Sequence, residues 1–102
     1  MNEISLWSAI AEMRKLTAKG VPFSFEHATW DSERRKSEGI RRVDRAVLRP
    51  AARKDKLKNA DHKLFYKDLN DPVNQNRVCW QILIISFNGV TVTTKQVFYE
   101  NI

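Results

Sequence analysis

The chain has 102 residues, of which 42% are hydrophobic and 29% charged, with only three glycines and three prolines. This composition excludes collagen-like repeats and a wholly disordered chain, and the length predicts a single domain over residues 1–102. The net charge of +6 would suit an anionic partner. Cys79 is the only cysteine, which excludes an intramolecular disulfide and a cysteine-rich zinc site and favours a reducing compartment.

The sequence shows no targeting or membrane signal. The amino terminus carries Glu3 where a secretory signal would carry basic residues followed by an apolar stretch. The longest apolar run, residues 82–85, is far shorter than the ~20 residues that span a bilayer. We therefore expect a soluble protein that is cytoplasmic when made and has no membrane partner.

Residues 3–19 are predicted to form an amphipathic helix. Asn2 is a suitable cap for its first turn, and Gly20 followed by Pro22 predicts its end, because glycine accepts the left-handed conformation and proline cannot continue a helix. At helical spacing one stripe is apolar and consists of Leu6, Ala9, Ile10, Met13 and Leu16.

Three strands are predicted in the middle of the chain. Residues 22–30 alternate between apolar and polar side chains, as a half-buried strand does. Residues 40–49 fit a strand or a helix, and Pro50 with the recurring β-branched residues favours the strand. Residues 63–68 predict a short strand that ends at a turn over residues 70–72. A loop is expected at residues 31–39, and a loop or a frayed turn of helix at residues 51–63.

The carboxy-terminal third predicts a β-hairpin. An apolar run from Val78 to Phe87 leads into Asn88-Gly89, the preferred dipeptide of a type I′ turn, and a second strand returns over residues 90–94. Strict alternation predicts a core face of Leu83, Ile85, Phe87, Val90 and Val92. The opposite face then needs cover from the helix or from another chain, and its candidate interface residues are Trp80, Ile82 and Ile84.

These elements predict an α+β fold. The amino-terminal helix packs on a small, mostly antiparallel sheet of four or five strands, with curling toward a barrel as an option.

Motifs of the common enzyme classes are absent from the sequence. The three glycines are isolated, and neither a nucleophile elbow nor a zinc-binding helix occurs. Cys79 with His27 or His62 could form a nucleophile and base, but a cysteine within an apolar strand is more often an inert hydrophobe. We expect no enzymatic activity, no cofactor, no metal and no small-molecule substrate.

Positive charge is concentrated in residues 34–67, where thirteen basic and four acidic residues give a local charge of +9. A solvated surface is one explanation, and a site for an anionic partner is the other. Phe65 and Tyr66 in this region could stack on exposed bases. A strand over 40–49 would project Arg41, Arg45 and Arg49 from one face as a ladder for phosphates. The candidate anion-binding residues are Arg41, Arg45, Arg49, Arg53, Lys54, Lys56 and Lys58.

Four stretches together resemble small uncharacterised proteins encoded by bacterial prophages and other mobile elements. They are Phe23-Ser24-Phe25, residues 39–50 with their Leu48-Arg49-Pro50 end, residues 59–64 and residues 77–89. The resemblance covers about residues 21–92 and includes no catalytic or ligand motif. It implies a phage-type gene product with a structural or accessory role.

Two functions follow as hypotheses. The first is a non-enzymatic structural protein, a small head–tail or capsid-associated virion component that associates with itself or with other structural proteins. The second is a basic accessory protein that binds DNA or RNA through residues 34–67.

Overall fold

The structure is a computed structural model, and it describes residues 3–30, 34–37, 39–50 and 62–94. It contains a single α-helix, a short 3₁₀ turn over Gln81–Leu83 and seven strands in that described part. In chain order the elements are β1 (Glu3–Ser5), α1 (Leu6–Ala18), β2 (Phe23–Ala28), β3 (Ile40–Leu48), β4 (Lys63–Asp68), β5 (Asn76–Trp80), β6 (Ile84–Phe87) and β7 (Val90–Thr93).

All seven strands belong to one sheet in the order β1-β7-β6-β2-β3-β4-β5, and only the β1–β7 pair is parallel. The predicted α+β fold with four or five strands is therefore wrong: the protein is mostly β-sheet with one short helix. The option of a barrel is also wrong, because β1 and β5 are the two edges of an open sheet. Two strands escaped prediction, because β1 is hidden in the helical pattern and the run 78–87 is divided by the 3₁₀ turn.

The helix α1 begins later than the sequence predicts. Residues 3–5 pair with β7, and the side chain of Ser5 accepts a hydrogen bond from the Ser8 amide at 3.2 Å, so Ser5 is the cap. The predicted cap, Asn2, lies outside the described residues. At the other end Gly20 has φ +72°, and the Val21 amide donates to the Leu16 carbonyl at 2.9 Å, which confirms the predicted stop.

The strand β3 pairs with β2 along one edge and with β4 along the other, and it bends locally at a bulge. Residues 40–46 pair with β2, and residues 46–48 pair with β4. Phe25 lies opposite Val43 while Phe23 lies opposite Ala46, so Asp44 and Arg45 form a bulge with one extra residue in β3. Val43 and Ala46 are consequently both buried although they are three positions apart. The strand predicted over 40–49 is confirmed, but its strict alternation is not.

The hairpin turn is confirmed, and the facing of its first strand is wrong. Asn88 and Gly89 have φ +48° and +82°, as a type I′ turn requires, and Phe87 pairs with Val90. However, β6 carries a second bulge at Ile85, since Glu26 pairs with Ser86 while the next residue, His27, pairs with Ile84.

The bulge exchanges the two faces that alternation predicts. Ile84 is 3% exposed and belongs to the core, whereas Ile85 is 36% exposed. The predicted core face therefore keeps only Phe87 as a fully buried member, with Val92 packed at its border. Of the predicted interface residues Trp80, Ile82 and Ile84, Ile84 is buried in the core, and the 3₁₀ turn lies between it and Trp80.

One hydrophobic core lies between the bent sheet and the helix. The predicted helix stripe is confirmed, with four buried residues and Leu16 packed at their edge. Three phenylalanine rings continue the core from the helix into the sheet, with Phe23 5.7 Å from Phe25 and 5.8 Å from Phe87. The fully or nearly buried apolar residues are Leu6, Ala9, Ile10, Met13, Phe23, Phe25, Val43, Ala46, Leu64, Tyr66, Cys79, Ile84 and Phe87.

The two neighbouring isoleucines of β6 test this facing directly. Ile84→Asp should abolish folding, because an unpaired carboxylate in the core costs several kcal/mol, an amount comparable to the stability of a small domain. Ile85→Asp should lower the free energy of unfolding by no more than about 1 kcal/mol, since the side chain reaches solvent. Urea denaturation of both variants measures the difference. Equal losses would show that the bulge at Ile85 is absent.

Candidate functional site

Side chains of β2 and β4 meet across β3, the strand that lies between them. The Tyr66 ring of β4 meets the Phe25 ring of β2 edge to face, with 4.9 Å between their centroids. Beyond this contact a pocket of about 380 Å³ opens between β2–β3 and β4–β5. We call it the basic pocket, and its lining residues are His27, Ala28, Thr29, Trp30, Arg41, Lys63, Tyr66, Arg77, Val78, Cys79 and Trp80.

A buried hydrogen bond forms the floor of the basic pocket. His27 is 4% exposed; its Nδ1 lies 3.1 Å from the Ala28 carbonyl oxygen, and its Nε2 lies 3.0 Å from the Tyr66 hydroxyl. A carbonyl oxygen can only accept, so Nδ1 carries the proton in the neutral ring. Nε2 is then the acceptor, and the Tyr66 hydroxyl donates to it.

The floor is electrically neutral at pH 7. Burial lowers the pKa of His27 below its ordinary value, and the nearby positive charge of Arg41 lowers it further. Burial also raises the pKa of Tyr66 and raises that of Cys79 to about 12. Cys79 is therefore a thiol and not a thiolate, the form that a nucleophilic cysteine needs.

Positive charge surrounds this neutral floor. Three cationic residues, Arg41, Lys63 and Arg77, line the basic pocket, and none of its described lining residues is acidic. Arg41 is opposite His27 in the β2–β3 pairing, which places it at the same end of the strands as the histidine. The pocket therefore favours an anionic ligand.

Arg77 is held in place by a loop that the sequence predicts as a turn. Asp71 accepts a hydrogen bond from Arg77 Nη2 at 2.6 Å and two more from the amides of Val73 and Asn74, each at 2.9 Å. The backbone hydrogen bonds, first that from Asn74, and the guanidinium lower the pKa of Asp71 to about 2. Arg77 Nε is buried and finds no partner among the described residues.

Two tryptophans provide aromatic surface at the basic pocket. Trp30, just beyond the end of β2, is 47% exposed, and Trp80 ends β5. The Lys63 ammonium lies 5.1 Å from the centre of the Trp80 ring, which is cation–π distance. A cation over the half-buried Trp80 ring and the exposed Trp30 ring in the same pocket suit a ligand with both a negative group and a flat ring.

A second hollow lies on the other side of Trp80. It has a volume of about 340 Å³, and we call it the apolar groove. Trp7 from the first turn of α1 and Ile82 from the 3₁₀ turn are its most exposed apolar members, at 52% and 57%. Its lining residues are Leu6, Trp7, His62, Trp80, Gln81, Ile82 and Thr94.

The predicted ladder of arginines does not form. Arg41 shares the face of Val43 toward the basic pocket, Arg45 lies in the bulge, and Arg49 lies beyond it on the opposite face. The bulge inserts one residue, so positions before and after it no longer alternate in phase.

Arg49 is a structural residue. Its Nε donates to the Tyr66 carbonyl at 3.2 Å, its Nη2 donates to the Arg77 carbonyl at 3.0 Å, and its guanidinium lies over the Phe65 ring at 5.4 Å. It thereby joins β3 to β4 and β5. Stacking of bases on Tyr66 is also excluded, because that ring is 1% exposed.

The remaining predicted anion-binding residues, Arg53, Lys54, Lys56 and Lys58, lie outside the described residues. Trp30 and Arg77 are pocket residues that sequence reasoning missed. The Asx-type sequence Asn70-Asp71-Pro72 marks a turn near Arg77, but only the folded sheet places this turn beside the pocket. No sequence pattern connects Trp30 to β5.

The described residues contain no cluster of three or more histidine, cysteine or carboxylate side chains that could hold a metal ion. The helix α1 is too short and too polar to cross a bilayer, and it is the longest helix in the described part of the chain.

Comparison with known proteins gives no match. No protein-family model matches the chain, and no curated protein and no solved structure is significantly similar to it. The resemblance to prophage-encoded proteins therefore stays a prediction, and function is inferred from the geometry of the site.

Arg49→Lys tests the structural role of this arginine. Lysine cannot make the forked contacts of a guanidinium, so the free energy of unfolding should fall by about 1–3 kcal/mol. Arg45→Lys is the matched control in the same strand and should change it by less than about 0.5 kcal/mol. Both values come from urea denaturation. An unchanged Arg49→Lys variant would contradict the structural role.

The lowered pKa of His27 predicts a stability that depends on pH. In the unfolded chain His27 binds a proton near pH 6.5, whereas in the folded chain it binds one only at lower pH. The free energy of unfolding should therefore fall as the pH drops below about 6.5. Asp71 contributes in a separate pH range. Folding lowers its pKa from 3.8 to about 2, so the stability that it adds is lost as the pH falls from about 3.8 to about 2.

His27→Gln removes the titrating ring and is the control. Its stability, measured by urea denaturation between pH 7.5 and pH 4.5, should fall less steeply toward acid than that of the unchanged protein, whatever its absolute value. Parallel curves for the two proteins would show that His27 titrates alike in the folded and unfolded chains.

Proposed function

We propose that the chain is a non-enzymatic protein that binds single-stranded nucleic acid, with the basic pocket as its site for a base and the adjoining phosphates. The observation that carries this proposal is the combination in one pocket of two tryptophans, a neutral floor and three cations, of which Arg77 is paired with Asp71 while Arg41 and Lys63 remain for a ligand. Phosphates account for most of the affinity in such complexes, and bases stack on exposed aromatic side chains.

The shape of the site favours a single strand over a duplex. A volume of about 380 Å³ lies within the range of sites that enclose a small organic group. A base can enter such a hollow only when it is unstacked and unpaired. A duplex would present its phosphates to the rim and leave the hollow empty.

The floor also fits a recognition role better than a chemical one. With His27 uncharged, with its Nε2 engaged by Tyr66, and with Cys79 protonated, the described lining residues offer no activated nucleophile. Their polar groups can orient a ligand by hydrogen bonding, and this is the chemistry of binding.

Assembly of a structural protein is the second candidate. Its sequence evidence, an apolar face of Trp80, Ile82 and Ile84, is weakened because Ile84 is buried in the core, while Trp80 and Ile82 line the apolar groove together. The observation that still favours it is the open sheet, in which β5 pairs only with β4 among the described residues. An edge strand of this kind can pair with another chain. A role in a virion or another phage particle is the form of this candidate that the resemblance to prophage-encoded proteins implies.

Binding to a short fluorescein-labelled oligothymidylate tests the leading proposal. Dissociation constants from fluorescence anisotropy at several salt concentrations give the log–log salt slope. Lys63→Gln and Arg41→Gln should each reduce the slope by about 0.7, the value for one phosphate contact on a single strand. Trp30→Ala should weaken binding by about 1–3 kcal/mol through lost stacking.

Arg45→Gln is the control, because it removes the same charge from the bulge, away from the basic pocket. It should leave the salt slope unchanged. If it reduced the slope as much as Lys63→Gln does, binding would follow net charge and the pocket would not be the site. Light scattering of the same samples shows whether the protein multimerises, as the second candidate requires.

A further inference from the structure

The apolar groove adjoins the basic pocket, because Trp80 lines both. The two hollows have similar volumes, about 380 and 340 Å³. Lys63 lines the basic pocket, and its ammonium lies over the Trp80 ring at 5.1 Å. The ridge between the hollows therefore carries both an aromatic ring and a positive charge.

The position of Gln81 is fixed relative to that ridge. Its side-chain Nε2 donates to the Lys63 carbonyl at 3.1 Å, which joins the start of the 3₁₀ turn to the first residue of β4. Trp80 and Gln81 are consequently held against β4. A ridge anchored to β4 in this way can support a ligand that extends over both sides of it.

The groove itself has the chemistry of a ring-binding site. Its walls are mostly apolar, with Trp7 and Ile82 more than half exposed, while Gln81, His62 and Thr94 supply polar atoms. Exposed apolar side chains that lie together at a hollow indicate a binding site, whereas single exposed apolar residues do not. A base matches it, because its faces are apolar and its edge forms hydrogen bonds.

We propose that the apolar groove is a second base subsite for the same bound strand. One nucleotide places its base in the basic pocket, the phosphate that links it to the next lies near Lys63 on the ridge, and the neighbouring base enters the groove against Trp7. This inference rests on the proposed function and specifies its ligand as at least two successive nucleotides. The charge on the ridge favours this occupant over an apolar peptide, which would gain nothing from an ammonium at that place.

Trp7→Ala in the full chain tests the second subsite. Its affinity for the labelled oligothymidylate should fall roughly 5- to 150-fold, the loss expected for one stacked base. Ile40→Ala is the control, because Ile40 is 66% exposed and lies outside both hollows, and it should bind normally. A thermal melt of each variant establishes that it is folded, and Ile82→Gln replaces Trp7→Ala if the latter does not fold.

A crosslink identifies the contact. The same oligonucleotide with 5-iodouracil in place of thymine should crosslink under ultraviolet light to Trp7 as well as to Trp30 or Trp80, as read by mass spectrometry of the peptides. Normal affinity of Trp7→Ala together with no crosslink at Trp7 would overturn the second subsite.

The outcomes separate this inference from the proposed function. Loss of binding in Trp30→Ala alone would leave the basic pocket as the site and refute the groove. No loss in either tryptophan variant would refute both. If Trp7→Ala bound normally but altered the mass of the particle in light scattering, the groove would be a protein interface, and the second subsite would be wrong.

Discussion

The bend in β3 is the constraint on which the rest of the structure depends. One strand pairs with β2 through its first part and with β4 through its last residues, and the bulge at Asp44 and Arg45 separates the two. Without the extra residue, either Val43 or Ala46 would face away from the core, because strand side chains alternate. The bulge keeps both inside. Tyr66 of β4 contacts Phe25 of β2 within the same core, and the basic pocket opens beside this contact.

The His27–Tyr66 pair shows how two polar side chains can be buried together in the interior. A buried imidazole and a buried hydroxyl would each be costly alone, since a polar group without a partner loses its hydration. Here each satisfies the other, and the second ring nitrogen of His27 is satisfied by the Ala28 carbonyl. The pair also joins β2 to β4, which do not pair as strands. It therefore stabilises the sheet across β3 and provides the neutral floor of the pocket.

The arginines and lysines of the middle segment separate into two groups with different roles. Arg49 is engaged by backbone carbonyls on two strands and lies over Phe65, so its charge is used within the structure. Arg41 and Lys63 line a hollow whose described lining contains no carboxylate, and Arg77 lines it while paired with Asp71 from the adjoining loop. A high local charge thus does not by itself identify a binding residue. The side of the bulge on which a cation lies, and the partners that it finds there, decide whether its charge can bind a ligand.

The sequence alone determined those elements whose signals are local. The helix stripe, the stop at Gly20, the Asn88-Gly89 turn and the strands over 40–48 and 63–68 each depend on a few neighbouring residues, and the structure contains all of them. Their residues fix backbone conformation or amphipathic period directly.

Tertiary structure decided what depends on pairing between distant segments. The bulges at residues 44–45 and at Ile85 exist because β3 and β6 must both keep their apolar residues against β2, and β2 lies up to about sixty residues away in the chain. Each bulge reverses the facing of the residues beyond it, so the core position of Ile84 and the opposite placements of Arg41 and Arg49 could not be deduced from alternation. The pocket brings together Trp30, Arg41, Lys63, Arg77 and Trp80 from four separate stretches of the chain. No local sequence pattern predicts that these residues lie together, because only the folded sheet sets the distances between those stretches.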